Sequence, residues 1–314
     1  MAGFCIDESS FQNVVNLPLV IGQLNDQLSM IHNQHQQPVF KCSELDYVEV
    51  SEGVEFSSLL YSGDLNLIDH DERILLIQTI DKCIVWDDEN FEIPDGEIMF
   101  NGNPTGSASI LFVATKAIGM DAIGIISLLP TDGIGLCTAS VGLASTKVFH
   151  VGLSTQLEPF YRFQMCFEKV SAEQFSNWVH LAFPSLRFAL EIKSQIRRFQ
   201  QKYDDIRETI VGHLAALNDE FLSLLIEGVP LSDACDRVKS ICGVVISPES
   251  PNTHANASAM REREVIFKDE KIVCEFHTKF HPTHDRIHFS PSVRSDSDDS
   301  KFLVVGRFAE HLTT

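Results

Sequence analysis

Residues 274–289 read CEFHTKFHPTHDRIHF, with four histidines, a lysine and an arginine in sixteen positions of a chain whose formal net charge is −20. Side chains alternate between the two faces of a strand. Ile272, Cys274, Phe276, Thr278 and Phe280 therefore share one face, and Glu275, His277 and Lys279 the other. The second half repeats the pattern, with Ile287 and Phe289 on one side and Arg286 and His288 on the other. Pairing Phe280 with Asp285 leaves HPTH as a four-residue hairpin loop, a common length. Thr278 then meets Ile287, Phe276 meets Phe289, Lys279 meets Arg286, and His277 meets His288. A slip of one residue would set apolar side chains against polar ones, so the alternation selects this register.

The predicted polar face carries Glu275, His277, Lys279, Arg286 and His288, with Arg307 and His311 on or after the following strand. Two cations directly opposite each other repel, unless an anion lies between them or solvent screens them. Three readings follow. Histidines titrating near neutrality can move protons while Lys and Arg stabilise a developing phosphorane, which suits phosphate binding or phosphodiester cleavage. His277, His281, His284 and His288 could instead bind a metal. Their spacing matches no zinc signature, though, and Lys279 and Arg286 would oppose a cation, so no metal is expected. The third reading is a solvated sheet face with no chemistry.

Further strands are predicted around this hairpin at 244–247, 262–268, 271–280 and 302–308, joined by a loop at 248–260 and a mobile one at 290–300. Upstream, Ser171 and Gln174 form a capping box for a helix ending near Pro184. Ser185 is read as the cap of one long helix reaching Gly228. Ile192, Ile196, Phe199, Tyr203, Ile206, Ile210, His213 and Leu217 recur along it at heptad spacing. That stripe is either a coiled-coil seam for a protein partner or homodimer, or a face packed on the chain's own sheet. Residues 160–170 alternate like a strand. Before them, helices are expected at 9–31, kinked at Pro18, at 71–86 and at 107–119. Buried strands are expected at 122–129, 134–141 and 146–152. Turn signals fall at 94–96 and 101–104. The expected fold is α+β: an acidic α/β region over 1–160, then an α+β unit over 161–314 with its long helix and an antiparallel meander.

Composition narrows the function. Asp and Glu outnumber Lys and Arg by 44 to 24, and residues 1–180 hold 24 acids against 7 bases. That half cannot bind nucleic acid through counterion release. Residues 254–314 are near neutral, with 9 bases and 10 acids, and hold six of the twelve histidines. GNPTGSAS and GLASTK both lack the GxxxxGK[ST] pattern, in which a lysine reaches the phosphates, and no GxGxxG is present, so no nucleotide cofactor is expected. No stretch is apolar enough to span a bilayer, the first basic residue is Lys41, and the eight cysteines contain no CxxC. A cytoplasmic protein with reduced thiols and no membrane association is expected.

The segments VCEFHTKFHPTHDRIHFSP and KFLVVGRFAEHL resemble a C-E-[FW]-H-x-K…R-I-H-F segment of uncharacterised bacterial proteins, some associated with phage-defence loci. The same segment is similar to the sheet of RelE/HigB-type ribonuclease toxins. That resemblance implies metal-independent RNA cleavage, with His277, Lys279, Arg286 and His288 catalytic or phosphate-binding and Arg307 a further cation. The helix at 185–228 is longer than such toxins use, and the chain carries about 160 extra residues. The leading expectation is a nucleic-acid-directed protein. In it His277 and His288 act as acid and base, Glu275 orients a histidine, and Lys279, Arg286 and Arg307 bind phosphate. The alternative is a non-enzymatic subunit of a defence or regulatory complex, assembled through the long helix.

Overall fold

The computed structural model describes residues 3–62, 67–87, 96–128, 133–153 and 156–313. The fold is α+β, and the chain separates into two compact units, Met1–Glu168 and Lys169–Thr314.

In chain order the first unit contains β1 (Gly3–Ile6), α1 (Leu17–Ser29), β2 (Val39–Lys41), β3 (Glu49–Ser51), β4 (Val54–Glu55), α2 (Phe56–Tyr61) and α3 (His70–Ile80). After these come β5 (Ile84–Val85), β6 (Ile98–Phe100), β7 (Asn103–Pro104), α4 (Ala108–Ile118), β8 (Ile123–Ser127), β9 (Gly135–Val141), β10 (Ala144–Gly152) and α5 (Glu158–Phe167). Eight strands form one sheet in the order β5-β2-β1-β8-β10-β9-β6-β7. The run from β5 to β10 is parallel, and the run from β10 to β7 is antiparallel. Composition follows this division. Parallel β1 and β8 are buried at every position, whereas β9 alternates buried and open.

Asp7 stands at the carboxyl end of β1 and joins three elements. Its Oδ1 accepts from Ser9 N (3.2 Å), Ser9 Oγ (2.7 Å) and Ser107 Oγ (2.9 Å), and its Oδ2 accepts from Ser127 Oγ (3.0 Å). Glu8 accepts from Ala108 N (2.6 Å) and Ser109 N (3.2 Å), so a carboxylate of the chain itself sits at the start of α4, where the helix dipole favours it.

Three local expectations fail here. The helix expected over 71–86 ends at Ile80, and Ile84 and Val85 pair with Phe40 and Lys41 as the edge strand β5. The helix expected over 9–31 starts only at Leu17. Asp7 caps a short 3-10 turn, Glu8–Phe11, and Asn13 and Asn16 adopt left-handed backbone before α1. Pro18 falls in the first turn of α1, where its missing N–H is harmless, so it starts the helix instead of kinking it. Residues 160–170, expected as a strand, are helix α5 and the turn after it, which draws 161–168 into the first unit. Phe160, Tyr161, Gln164 and Met165 are buried at helical spacing, and Phe163 and Phe167 meet four residues apart with ring centroids 5.0 Å apart. The pattern FYRFQMCF satisfies both periods, and the helical one buries more. Of the turn signals, positions 94 and 95 lie outside the described residues, as does residue 129 of the strand expected at 122–129.

The second unit contains α6 (Ala172–Ala182), β11 (Leu186–Phe188), α7 (Ile192–Ile196), α8 (Tyr203–Ala215), α9 (Leu222–Ile226), α10 (Leu231–Cys242) and β12 (Ile246–Pro248). Next come α11 (Pro251–Ala255), α12 (Ala257–Glu262), β13 (Glu264–Phe267), β14 (Glu270–Val273), β15 (Phe276–Lys279), β16 (Arg286–Ser295) and β17 (Lys301–Ala309). The five-stranded sheet runs β11-β17-β16-β15-β12, antiparallel except for the β11–β17 pair. The hairpin has the register expected from sequence: Phe276 with Phe289, His277 with His288, Thr278 with Ile287, Lys279 with Arg286.

The single helix expected over 185–228 is broken. Leu186, Arg187 and Phe188 pair with Leu303, Val304 and Val305 as an edge strand, and α7 is separate from α8. From Tyr203 to Ile226 the helix is continuous, with a π-helical stretch at Ala216–Phe221. It is long and apolar enough to cross a membrane by length and composition, and 50% of its most apolar window is buried. The heptad stripe is spent inside the chain. Phe199 stacks on Phe308 (5.6 Å) and meets Phe280 (5.1 Å), His213 stands edge-on to Phe280 (4.3 Å), and Phe221 packs on Phe289 (5.5 Å). Ile192, Ile196, Ile206, Ile210 and Leu217 are all buried, so the stripe is not an open coiled-coil seam. The expected 248–260 loop holds α11 and α12, capped by Ser250 and Asn256. Residues 291–295, expected to be mobile, extend β16.

The strand expected over 271–280 is also two strands. It breaks at 274–275, and the break changes faces. Cys274 packs with Val265, Ile272, Phe302 and Val304, while Phe276 packs with Phe289. Gly306 lies at the bulge between β16 and β17, and a Cβ there would sit 2.2 Å from Cys274 Sγ. Gly306→Ala is expected to destabilise the fold by roughly 1–3 kcal/mol through overpacking. Adding Cys274→Ala should restore part of the loss in a denaturant-unfolding double-mutant cycle. Burial lowers the His213 pKa to about 4. The unfolded chain, whose histidine titrates near 6.5, takes up a proton that the folded chain refuses. Stability from this residue is therefore full above pH 6.5 and lost as pH falls from about 6.5 towards 4. His213→Leu should flatten that acid limb by roughly 1–3 kcal/mol in urea melts across the window.

Candidate functional site

His277 and His288 face each other across β15 and β16, with ring centroids 5.2 Å apart. They lie on the sheet face opposite Phe276 and Phe289, because neighbouring residues of a strand point to opposite sides. This face is not solvated: His277 is 4% exposed and His288 0%. The segment 249–263 meets them. Glu249 directly follows β12, whose Ser247 pairs with His277. Arg263 follows α12, and its carbonyl accepts from Cys274 N at 2.9 Å.

One carboxylate oxygen organises the site. Glu249 Oε1 lies 3.1 Å from His277 Nδ1, 3.3 Å from His288 Nδ1 and 2.8 Å from Arg263 Nε. Arg263 Nη2 donates to Oε2 at 3.0 Å, so the guanidinium grips both oxygens. Its Nη1 donates to the carbonyls of Ala259 (2.7 Å) and Thr313 (3.0 Å). Arg263 is fully buried and Glu249 is 6% exposed.

The electrostatics follow from this packing. Burial pushes the Glu249 carboxyl up, but the nitrogens of His277, His288 and Arg263 outweigh it and hold the group far below the usual carboxylate range. Burial lowers His288 to about 4 and lowers His277, against the raising effect of Glu249 in both cases. Both rings are therefore neutral at pH 7. Glu249 and Arg263 cancel. Arg286, buried, precedes His288 by two residues on the same face, Arg307 pairs directly with His288, and Lys279 pairs directly with Arg286. Among the described residues these three cations form no ion pair, and Nε of both arginines is buried without a hydrogen-bond partner. Burial lowers the pKa of both arginines.

The structure thus brings together His277, His288, Lys279, Arg286 and Arg307. Glu275 does not join them as the orienting carboxylate. It lies in the break between β14 and β15, and its carbonyl accepts from Glu249 N at 2.8 Å. Glu249 takes that place. His281 and His284 stay at the hairpin tip, stacked on each other at 4.2 Å. Glu249 and Arg263, missed from sequence, lie 28 and 14 residues before His277 in stretches with no periodic signal; only their pairing across a covered sheet face reveals them. Comparison with known proteins finds no matching family model, no matching curated protein and no matching solved structure.

The buried Glu249–Arg263 pair makes a clear expectation. Arg263→Met alone leaves Glu249 without its cation and should destabilise by about 3–5 kcal/mol, whereas Arg263→Met with Glu249→Leu should recover most of that loss in chemical denaturation.

Proposed function

We propose that the second unit acts on a phosphodiester of RNA without a metal ion, as a nuclease of a defence or toxin-like system. The observation that carries this reading is the surplus of positive charge around two neutral imidazoles: among the described residues Lys279, Arg286 and Arg307 form no ion pair, while Glu249 is already held by Arg263. A phosphate is the group that neutralises such a set, and arginines recognise it in a forked geometry. In this reading Glu249 holds His277 through Nδ1, which leaves Nε2, unpaired in the fold, to take a proton from an attacking hydroxyl. The proton taken by His277 then returns to the leaving oxygen by way of His288, so that both imidazoles end neutral as they began. Lys279, Arg286 and Arg307 stabilise charge on the phosphorane. The burial of both rings requires that α11 and α12 lift from the sheet before substrate reaches them, with Glu249 remaining at the end of β12. The biological setting is proposed from the sequence resemblance of 273–291 and 301–312 alone.

The test is cleavage of mixed RNA and DNA oligonucleotides by the full chain at low salt in EDTA. RNA cleavage should fall about 10²–10⁴-fold in His277→Gln while the thermal melt is retained. Arg286→Ala should weaken binding across sequences and lower the salt slope by about one. Absence of both binding and cleavage in folded wild type would sink the reading.

A further inference from the structure

We propose that Glu249, His277 and His288 bind one zinc ion, and that zinc occupying this place blocks the proton chemistry of the two imidazoles. The blocking rests on the cleavage reading above; the binding does not.

The geometry is that of three ligands waiting around a common point. One donor atom from each residue lies within 4.8 Å of the other two. Glu249 Oε1 is 3.1 Å from His277 Nδ1 and 3.3 Å from His288 Nδ1. Zinc binds nitrogen at about 2.0–2.1 Å and carboxylate oxygen at about 2.0–2.2 Å in a tetrahedron, which sets neighbouring ligands about 3.3 Å apart. Both carboxylate-imidazole separations are close to such an edge, so Glu249 Oε1 and each imidazole lie at a spacing that a tetrahedral ion can bridge. His277 and His288 are directly paired residues of neighbouring strands, and Glu249 directly follows the strand on the next edge.

Two further observations point to a ligand. His288 Nδ1, one of the three ligand atoms, is buried with no hydrogen-bond partner, an expense that coordination would remove. Arg263 also holds Glu249, at Oε2 (3.0 Å) and at the ligating Oε1 itself (2.8 Å), as outer partners commonly orient a ligating carboxylate. Two imidazoles and one carboxylate suit zinc and leave the fourth position for water or an anion. Hard magnesium, which prefers oxygen ligands, does not suit this set. The nearby guanidinium of Arg263 and the cation of Arg286 weaken the site, so the expected affinity is micromolar, weaker than that of a structural zinc site. The hairpin histidines show no zinc spacing along the chain because the third ligand comes from 28 residues upstream, and Lys279 and Arg286 oppose the cation as expected from sequence.

The full chain, stripped with chelator and dialysed into phosphate-free buffer, would be titrated with zinc chloride in a calorimeter and with cobalt(II) in a visible spectrometer. The expected result is one ion per chain, intense tetrahedral cobalt bands, and no heat from magnesium. His277→Gln and His288→Gln should each weaken zinc at least tenfold, and the His281→Gln/His284→Gln double variant should bind as wild type. No zinc binding by folded wild type overturns the proposal whether or not the variants fold. So does binding that survives His277→Gln and vanishes in the His281/His284 variant, which places the ion at the hairpin tip. Where RNA is cleaved, saturating zinc should abolish the cleavage, and cleavage that persists with zinc bound overturns the blocking. A chain that cleaves nothing yet binds zinc through His277 and His288 keeps the site and removes only the nuclease reading.

Discussion

A single buried carboxylate governs the second unit. Glu249 is an anion under a covered sheet face, where an unpaired charge is far too expensive to keep. Its oxygens are held by Arg263, and the same Oε1 faces both His277 and His288. None of these four groups is tolerable there alone. Arg263 is fully buried and needs the anion, and the neutral rings need a polar neighbour. Through Arg263 the arrangement also ties down Ala259 and Thr313, so α12 and the end of the chain are fastened to the sheet by the same side chain. The hairpin face that would otherwise lie in water becomes an interior.

The other face of that sheet is an aromatic surface. Phe276, Phe280, Phe289 and Phe308 receive Phe199, His213 and Phe221 from the helical layer. This is why the heptad stripe does not serve as a seam between chains: its side chains are buried at home, and the helix that carries most of it begins at Tyr203, after an edge strand has used Leu186–Phe188. One face is thus held by dispersion and apolar burial, the other by a few strong polar contacts. Changes on the first lower stability; changes on the second alter charge and proton placement as well.

In the first unit, strand order changes direction between β1 and β8, the place where open α/β sheets take ligands at the carboxyl ends of their strands. Here the chain supplies its own groups. Asp7 collects the hydroxyls of Ser9, Ser107 and Ser127, and Glu8 takes the start of α4. The acidic balance of this half therefore includes carboxylates with structural duties at the sheet end, as well as solvated ones.

The sequence by itself determined the hairpin register, the opposition of His277 to His288 and of Lys279 to Arg286, and the α+β class. Strict alternation over 276–289 leaves one pairing that keeps both faces consistent, and that rule is local. Most failures came where the local pattern was compatible with two periods or where a partner was distant. FYRFQMCF suits a strand or a helix, and burial against Phe4 chose the helix. Residues 186–188 continue a helical pattern, but an open edge at β17 took them as strand. Alternation through 272–280 concealed the break at 274–275, which turns Cys274 toward Gly306 and Val265. Glu249 and Arg263 could be found only from the fold. A carboxylate becomes the partner of two histidines when an edge strand brings it beside them and a covering segment removes the water, and neither condition is written in the spacing of residues along the chain.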